Sequence, residues 1–150
     1  MNAPFKQAAR LGRLTTELGP DTLSLLRFDG SDHLNDLFEY RIEALATRAD
    51  LDFDALIGTH ATVEIEAHEE MRPFDGIVTS ARWAGVGENG HRYDLTLRPW
   101  FWLAGRRRNQ RIFHNKTVIE ILQELLSDYA SLGDPALEIS LSKDYPTLEY

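Results

Sequence analysis

Apolar and polar residues alternate along most of the first hundred residues of this chain, and this period of two is typical of half-buried β-strands. In one such run, Phe38, Tyr40, Ile42 and Ala44 alternate with charged residues. The runs that predict strands lie at residues 13–17, 22–28, 38–44, 62–67, 74–83 and 93–98. Several short strands separated by turns favour an antiparallel, β-rich fold.

Turn-forming residues separate these runs and predict how neighbouring strands connect. Gly19-Pro20-Asp21 predicts a turn that joins the first two strands into a hairpin. Asn89-Gly90 predicts a type I′ hairpin turn, because both residues tolerate positive φ angles. Asp52 and Gly58 fit the start and end of one helical turn, which we expect to cover one end of the sheet.

The pattern changes to helical spacing after Pro99. Thr117 and Glu120 fit a capping box, and the apolar residues that follow are spaced three and four apart, which predicts an amphipathic helix. Gly133 to Pro135 predicts the end of that helix. Residues 137–141 alternate again and predict one more strand.

Trp100, Phe101 and Trp102 form an aromatic cluster just after the last run of alternating residues. Such a cluster predicts core packing, and stacking on sugars or bases is the alternative. Taken together, the patterns predict a mainly β fold of the α+β class in two parts. We expect a β-rich unit at residues 1–105 and the start of a mixed α/β region at residues 106–150.

The composition excludes several classes of protein. The 150 residues include no cysteine, which excludes disulfide frameworks, cysteine zinc sites and thiol nucleophiles. No apolar run reaches the ~18 residues of a membrane span, and the first residues do not predict a secretory signal peptide. The net charge is −8, and an acidic chain repels phosphate backbones, which argues against nucleic-acid binding.

No constellation of residues predicts catalysis, a cofactor or a metal. The five histidines show no paired ligand spacing, and His68-Glu69-Glu70 fits a solvated hairpin tip better than a metal site. The serines lie in no nucleophile-elbow motif. Gly85, Gly87 and Gly90 join two strands rather than a strand and a helix, so they do not predict a phosphate-binding loop. We assign no catalytic, cofactor-binding or metal-binding residue.

The uneven distribution of charge is the main candidate for function. Residues 29–75 carry 13 acidic and 3 basic side chains, a net charge of −10. The basic cluster of the chain consists of Arg106, Arg107, Arg108 and Arg111. This cluster fits a contact with phosphate or an acidic partner, and an exposed connection paired with nearby carboxylates is the alternative. The acidic and basic parts also have the charges to pair between copies in an oligomer.

Seven segments, taken in order, carry a resemblance to a known family. They are Leu18–Asp21, Leu37–Glu43, Leu51–Gly58, Phe74–Thr79, Tyr93–Trp100 with Leu103, Arg107–Phe113 and Tyr145–Tyr150. The most distinctive feature is Leu97-Arg98-Pro99-Trp100 following the aromatic-x-Gly-Ile-Val-Thr pattern at Phe74–Thr79. In this order the segments resemble the N-terminal region of VgrG, the spike protein family of bacterial type VI secretion systems.

The resemblance implies a structural component and not an enzyme. Members of the family form trimers whose N-terminal region is similar to the hub of contractile phage baseplates, where tube-like β-barrels stack on the hexameric Hcp tube. It implies that residues 1–105 form one antiparallel tube-like β-barrel, that residues 106–150 open an outer α/β region, and that the chain continues in a longer protein. The implied partners are further copies of the chain, the Hcp tube, baseplate proteins and the effectors delivered. The implied route is assembly in the cytoplasm and export through the type VI apparatus, without a signal peptide.

Two other functions stay open at this point. A carboxylate-dependent hydrolase of cell-wall sugars needs two carboxyl groups that converge in a cleft, about 5–9.5 Å apart. Most carboxylates here fall instead on the polar side of the predicted strands, as do Glu39, Glu43, Glu64 and Glu66. A stand-alone adaptor or binding module requires the 150 residues to be the natural chain.

Overall fold

The computed structural model describes residues 6–68, 70–132 and 138–149, and its main feature is one six-stranded antiparallel sheet. The strands are β1 (Gly12–Thr16), β2 (Ser24–Ser31), β3 (Glu39–Ala46), β4 (His60–Ala67), β5 (Glu70–Gly87) and β6 (Gly90–Arg98). Their order across the sheet is β1-β4-β5-β6-β3-β2, so the first two strands of the sequence lie at opposite edges. The mainly β, antiparallel class predicted from the sequence is confirmed.

One face of the sheet forms the core, because apolar residues occupy alternate positions of the strands. The buried residues paired across β3 and β6 are Tyr40 with Leu97, Ile42 with Leu95, and Ala44 with Tyr93. The hydroxyl of Tyr93 donates a hydrogen bond to the backbone oxygen of Arg48, 2.8 Å away, and the ring of Phe53 packs edge-on against Tyr93. The period of two therefore identifies the inner face of these strands correctly.

The long strand β5 curls the sheet, because its two parts pair with different neighbours. Residues 70–77 pair with β4, and residues 77–87 pair with β6. The register with β6 shifts after Val78 and again after Trp83, and Gly85 at the second shift has a φ angle of 109°, which favours glycine. Irregularities of this kind bend a strand and increase its twist, and the sheet curls into a half-barrel.

The side chain of Gln7 lies between the two edge strands, β1 and β2, which approach each other without being paired in the described sheet. Its amide nitrogen donates to the backbone oxygens of Leu14 and Leu23, at 3.0 and 3.1 Å. Its amide oxygen accepts from the backbone nitrogens of Leu14 and Leu25, both at 2.9 Å. Gln7 is buried, and these four bonds use the full hydrogen-bonding capacity of its amide group.

The predicted hairpin of the first two strands is wrong. Gly19 and Asp21 have positive φ angles and turn the chain, but β1 pairs with β4 and β2 pairs with β3. The reason is that Gln7 binds backbone groups of both edge strands, which a ladder between β1 and β2 would otherwise use. The second strand also continues through Asp29-Gly30, where the sequence predicts its end.

The hairpin predicted at Asn89-Gly90 is confirmed, although the turn is not of the predicted type. Gly87 pairs with Gly90, so the two-residue loop is Glu88-Asn89. Gly90 has a φ angle of 127°, whereas Asn89 is not at positive φ. A type I′ turn needs positive φ at both of its central residues, so this connection belongs to a different turn type.

The single helical turn predicted between Asp52 and Gly58 is present, because the backbone nitrogen of Ile57 donates to the oxygen of Phe53 at 2.8 Å, and it does not extend into a longer helix. Asp52 accepts hydrogen bonds from two backbone nitrogens, those of Asp54 and Ala55, in the manner expected of a capping residue. Gly58 then reverses the chain at a φ angle of 87° before a second helical turn forms. Leu56 is fully buried, so this segment covers part of the core as predicted.

After the sheet the chain forms a 3-10 helix at Trp100–Arg106, the α-helix α1 at Val118–Ser127, and a short 3-10 helix at Ala130–Leu132. The predicted capping box of α1 is confirmed. The side chain of Thr117 accepts a hydrogen bond from the backbone nitrogen of Glu120, and the carboxylate of Glu120 accepts one from the backbone nitrogen of Thr117. None of the helices in the described residues is long and apolar enough to cross a membrane.

The strand predicted at residues 137–141 is wrong for residues 138–141, which the structure describes and which form no strand. Ile139 and Leu141 are exposed, so their alternation has no sheet to pack against. The only pairing near this segment in the described residues is an isolated bridge between Lys116 and Leu148. The helix end predicted at residues 133–135 is wrong for α1, which ends at Ser127 and is followed by the short 3-10 helix at Ala130–Leu132. Residues 133–135 themselves lie outside the described residues.

Candidate functional site

The arginine cluster predicted from the sequence divides into residues with different surroundings. Arg106 ends the 3-10 helix, and its guanidinium lies 4.4 Å from the ring centre of Trp102. Arg98, the last residue of β6, also contacts this ring, at 4.9 Å. Arg98 in turn binds the carboxylate of Glu39 and donates a 2.7 Å hydrogen bond to the hydroxyl of Thr79. These contacts fix the start of the cluster against the sheet.

Arg107 and Arg111 both bind Asp128, the residue that caps the C-terminal end of α1. Their guanidinium groups contact the same carboxylate oxygen, Oδ2, at 2.8 and 2.5 Å. One negative charge therefore faces two positive charges, and this part of the surface keeps a net positive charge. The pairing also holds the connection that precedes α1 against the end of the helix.

Arg108 is the member of the cluster that extends into solvent. It is exposed, and the described residues offer it no ion pair. The structure thus brings Arg107 and Arg111 together, places Arg106 beside Trp102, and leaves Arg108 available to a partner.

An open groove lies between the 3-10 helix at Trp100–Arg106, the arginine cluster and α1, with a volume of about 300 Å³. Its apolar lining consists of Phe101, Ala104, Leu122, Leu125, Leu126 and Tyr129. Arg107, Arg111 and Asp128 line the same groove and supply its polar edge. No residue of α1 is fully buried, so the apolar side of the helix faces this groove rather than a completed core.

The prediction that the aromatic cluster belongs to the core is wrong. Phe101 is 50% exposed, and none of the residues in its 3-10 helix is buried. The reason is that the sheet ends at Arg98, before this 3-10 helix begins. Within the described residues the helix is covered only in part, for example by Tyr129, which lies beside Trp100. Of this cluster, Phe101 lines the groove.

The outward face of the sheet carries charged side chains in rows across the strands. One row, in register over four strands, consists of Arg27, Glu43, Asp94 and Arg82. Arg27 lies 3.7 Å from Glu43, and Arg82 binds Asp94, so each carboxylate has an arginine on its outer side. These residues line an open depression of about 390 Å³. Within the acidic excess at residues 29–75, this row neutralises Glu43, through Arg27 of the neighbouring strand.

This arrangement gives no support to a glycosidase-like site. Glu43 and Asp94 are directly opposite each other in the ladder, but both form ion pairs with arginine. A glycosidase needs one protonated carboxyl group that is free to donate to the substrate.

Glu39 shows the clearest electrostatic effect of these ion pairs. Its carboxylate binds Arg98 and Arg41, and these hydrogen bonds hold the pKa of Glu39 below its ordinary value, with Arg98 the larger cause. Desolvation opposes this effect but is the weaker influence. Glu39 therefore connects β3 to the end of β6, and through Arg98 to Trp102 and the groove.

The described residues contain no group of three side chains placed to hold a metal ion. His68 has a φ angle of 54° and lies at the tip between Ala67 and Glu70, which pair with each other, as the hairpin-tip interpretation predicts. Glu69, the third member of that sequence motif, lies outside the described residues. Elsewhere His60 contacts Asp75 at 2.7 Å, and Thr62 donates to the same carboxylate, but His60 and Asp75 are exposed and Thr62 is half-buried.

Sequence reasoning missed two features that bear on interaction. Gln7 gave no signal, because a single polar residue in an irregular segment is not distinguished by any periodicity. The loop between β2 and β3, residues 32–38, was also missed, although Leu34 lies there between two aspartates and is 95% exposed. An isolated leucine in a polar loop was the available signal for the second.

The chain matches the family model of the phage tail baseplate hub (GPD) over residues 31–150. It is 35% identical over 145 residues to the type VI secretion system spike protein VgrG1b of Pseudomonas aeruginosa, which covers 96% of this chain and 19% of that protein. It is 36% identical over 148 residues to VgrG1c of the same organism, covering 97% of this chain and 20% of that protein. The chain thus spans about a fifth of the length of these curated relatives.

Among solved structures, the chain is similar to the E. coli c3393 protein, described as a component of the type VI secretion system with structural similarity to the T4 bacteriophage tail proteins gp27 and gp5. The TM-score is 0.69 at 20% identity, over 91% of this chain and 37% of that one, which shows a shared fold. The family match, the spike-protein relatives and the fold agree with the resemblance seen in the order of segments. The chain therefore belongs to the phage tail baseplate hub family, and it is similar to the VgrG spike proteins of type VI secretion systems.

Proposed function

We propose that this chain is a structural part of the trimeric hub of a type VI secretion spike, which docks on the Hcp tube and helps to deliver effectors. The observation that carries the proposal is the hub-family match over residues 31–150, together with the half-barrel that the six strands between Gly12 and Arg98 build. A curled sheet with one apolar and one charged face is suited to assembly into a ring. The charged outer face then meets neighbouring subunits, the tube or solvent.

The proposal assigns the two parts of the chain to different regions of the hub. Residues 1–105 form the tube-like barrel, and residues 106–150 open an outer α/β region. In support, all six strands of the described sheet lie between Gly12 and Arg98, and the 3-10 helix that follows ends at Arg106.

The role is structural rather than enzymatic. Its support is that the relatives are named as spike proteins and that the outward carboxylates Glu43 and Asp94 are paired with arginines. We propose assembly in the cytoplasm and export through the type VI apparatus, as for a spike protein. Effectors and baseplate proteins are the further proposed partners.

Arg108 is the proposed docking contact of the arginine cluster. Arg106 and Arg107 are engaged with Trp102 and Asp128, so changing them also disturbs the groove. Arg108 makes no such contact within the described residues, and its exposed guanidinium is available to a carboxylate of the tube.

A binding measurement with purified Hcp hexamer and the full-length spike protein tests this proposal. We expect the wild-type protein to bind and Arg108→Glu to weaken binding about tenfold at low ionic strength, with a smaller effect at high salt. Lys6→Glu, an equal change of charge at another exposed position, is the matched control and is expected to bind like the wild type.

The results test the docking role of the arginine cluster separately from the proposed function. Unchanged binding by Arg108→Glu, and also by the triple variant Arg106/Arg107/Arg108→Glu, contradicts the docking role of the cluster. Failure of the full-length wild-type protein to bind any Hcp hexamer contradicts the proposed function itself.

A further inference from the structure

The loop between β2 and β3, residues 32–38, presents an apolar side chain with acidic neighbours. Leu34 is 95% exposed, the highest value among the large hydrophobic residues that the structure describes. Asp32 and Asp36 lie two residues before and after it, and both are exposed. Burying a leucine stabilises a contact by roughly 1.5–3 kcal/mol, so its full exposure is a reason to look for the surface that covers it.

The backbone of this loop is held in a defined shape. Asn35 has a φ angle of 64°, and the backbone nitrogen of Asp36 donates to the oxygen of His33 at 3.3 Å. The carboxylate of Asp36 accepts a 2.8 Å hydrogen bond from the nitrogen of Leu37. Phe38, at the end of the loop, stacks on Tyr40 with ring centres 4.3 Å apart. A loop ordered in this way loses little entropy when it binds.

The groove beside α1 has the complementary chemistry. Its lining includes Phe101, Leu122 and Leu125, all partly exposed, which suits an apolar side chain. Its edge carries Arg107 and Arg111, which share one oxygen of Asp128 and so leave a positive charge unmatched. An incoming leucine with a carboxylate beside it fits both properties.

The loop and the groove do not engage each other within one copy of the chain. Leu34 is almost fully exposed, and the groove is open, so neither covers the other in this structure. Within the described residues of one copy the two do not meet, and a contact between two copies brings them together. Such a contact is head to tail, and it closes into a ring if the rotation between copies is right.

We propose that the loop at residues 32–38 of one copy docks in the groove of the next, with Leu34 against Phe101 and Leu122, and an aspartate beside Arg107 and Arg111. This inference rests on the proposed function, because it names the surfaces that join copies in the hub. In this contact, an acidic loop of one copy lies against the basic edge of the groove of the next copy. The partner is a second copy of this chain.

Cysteine cross-linking in the full-length protein tests the contact. The chain contains no cysteine, so introduced cysteines react without background from residues 1–150, and any cysteine elsewhere in the protein is replaced by serine. The test variant carries Leu34→Cys and Leu122→Cys and is treated with a short bismaleimide. We expect covalent dimers and trimers on a denaturing gel from most of the protein.

Two single variants and one displaced pair are the controls. Leu34→Cys alone and Leu122→Cys alone are expected to stay largely uncross-linked. Val86→Cys with Leu122→Cys uses another exposed apolar residue, 69% exposed, and is expected to give no ladder. An equal ladder from the Val86 pair shows random collision and overturns the inference.

A second measurement covers the case in which cross-linking disturbs the protein. Leu34→Asp is expected to raise the dissociation constant of the oligomer about tenfold, as for a central interface residue, whereas Val86→Asp leaves it unchanged. The oligomer is measured by mass photometry over a dilution series. Equal stability of both variants overturns the proposed contact.

The results also separate this inference from the function on which it rests. If the full-length protein is trimeric but the Leu34–Leu122 pair forms no intermolecular link, the contact is wrong and the hub function stands. An intramolecular link, or a link to added Hcp instead of to another copy, overturns the contact in the same way. If the full-length protein is monomeric and binds no tube, both proposals fail.

Discussion

At the scale of single residues, two polar side chains hold the edge strands of the sheet together and connect the sheet to the segment that follows it. Gln7 joins the two edge strands through four backbone hydrogen bonds, and Glu39 links β3 to Arg98 and so to Trp102. Neither role could be predicted from the sequence. Hydrophobic periodicity reports which face of a strand is buried, but it does not report which distant backbone groups a side chain will reach.

The first prediction concerns Gln7. Gln7→Leu removes four hydrogen bonds and leaves backbone groups of Leu14, Leu23 and Leu25 without their partner. We expect the free energy of unfolding to fall by about 3 kcal/mol, because unpaired buried polar groups cost about 1–3 kcal/mol each and water enters the opened edge to satisfy some of them. Urea unfolding monitored by fluorescence measures the change.

The control for Gln7 is Gln123→Leu, the same chemical change at an exposed position of α1. It is expected to change the free energy of unfolding by less than about 0.5 kcal/mol. A Gln7→Leu protein as stable as this control would show that the edge strands do not depend on the glutamine.

The second prediction concerns Glu39 and pH. Its pKa is lowered in the folded chain, chiefly by Arg98 and then by Arg41, so its ion pairs stabilise the fold above the unfolded-state pKa and are lost as the pH falls through the folded-state pKa. Glu39→Gln is expected to destabilise the chain by about 1 kcal/mol at neutral pH, a value discounted for partial solvent exposure, and by less in acid. Thermal unfolding at a series of pH values measures the difference.

Glu66→Gln is the control for this pH dependence, because Glu66 is exposed and has no ion pair in the described structure. Its difference from wild type is expected to stay near zero across the series. A Glu39→Gln difference that stays constant from neutral to acid pH would contradict the electrostatic explanation.

At the scale of elements, the capping signal of α1 was reliable and the predicted pairing of the first two strands was not. The capping box of α1 was predictable because Thr117 and Glu120 are three residues apart and interact with each other. The hairpin of β1 with β2 was predicted wrongly because the pairing depends on Gln7 and on β4, which lie elsewhere in the sequence. The strand predicted around Ile139 failed for the same reason, since alternation produces a strand only where a neighbouring strand is present.

The third prediction tests the capping box. Thr117→Ala removes the side-chain acceptor for the backbone nitrogen of Glu120, and we expect it to destabilise α1 by about 1 kcal/mol. Because no residue of α1 is fully buried, the loss appears as faster amide hydrogen exchange in the helix rather than as unfolding of the sheet. Ser142→Ala, at an exposed bend, is expected to leave exchange in α1 unchanged.

Equal protection of α1 in the Thr117→Ala and Ser142→Ala proteins would contradict this explanation. Loss of protection in β3 and β6 as well would show that the helix and the sheet unfold together.

At the scale of the whole molecule, the half-barrel separates an apolar inside from a charged outside, and the groove beside α1 stays open. The β-rich class and the buried faces of β3 and β6 were predictable from periodicity, and the family was predictable from the ordered segments. The arginine cluster is evident in the sequence, but its division into engaged and free residues depends on Trp102 and Asp128, which the folded chain brings near.

Mass photometry of the full-length spike protein mixed with purified Hcp hexamer tests whether the protein forms a trimeric hub that docks on the tube. We expect a species with the mass of three spike chains alone, and a second species with the mass of three spike chains and one Hcp hexamer after mixing. A full-length protein that remains monomeric and forms no complex with the hexamer would contradict it.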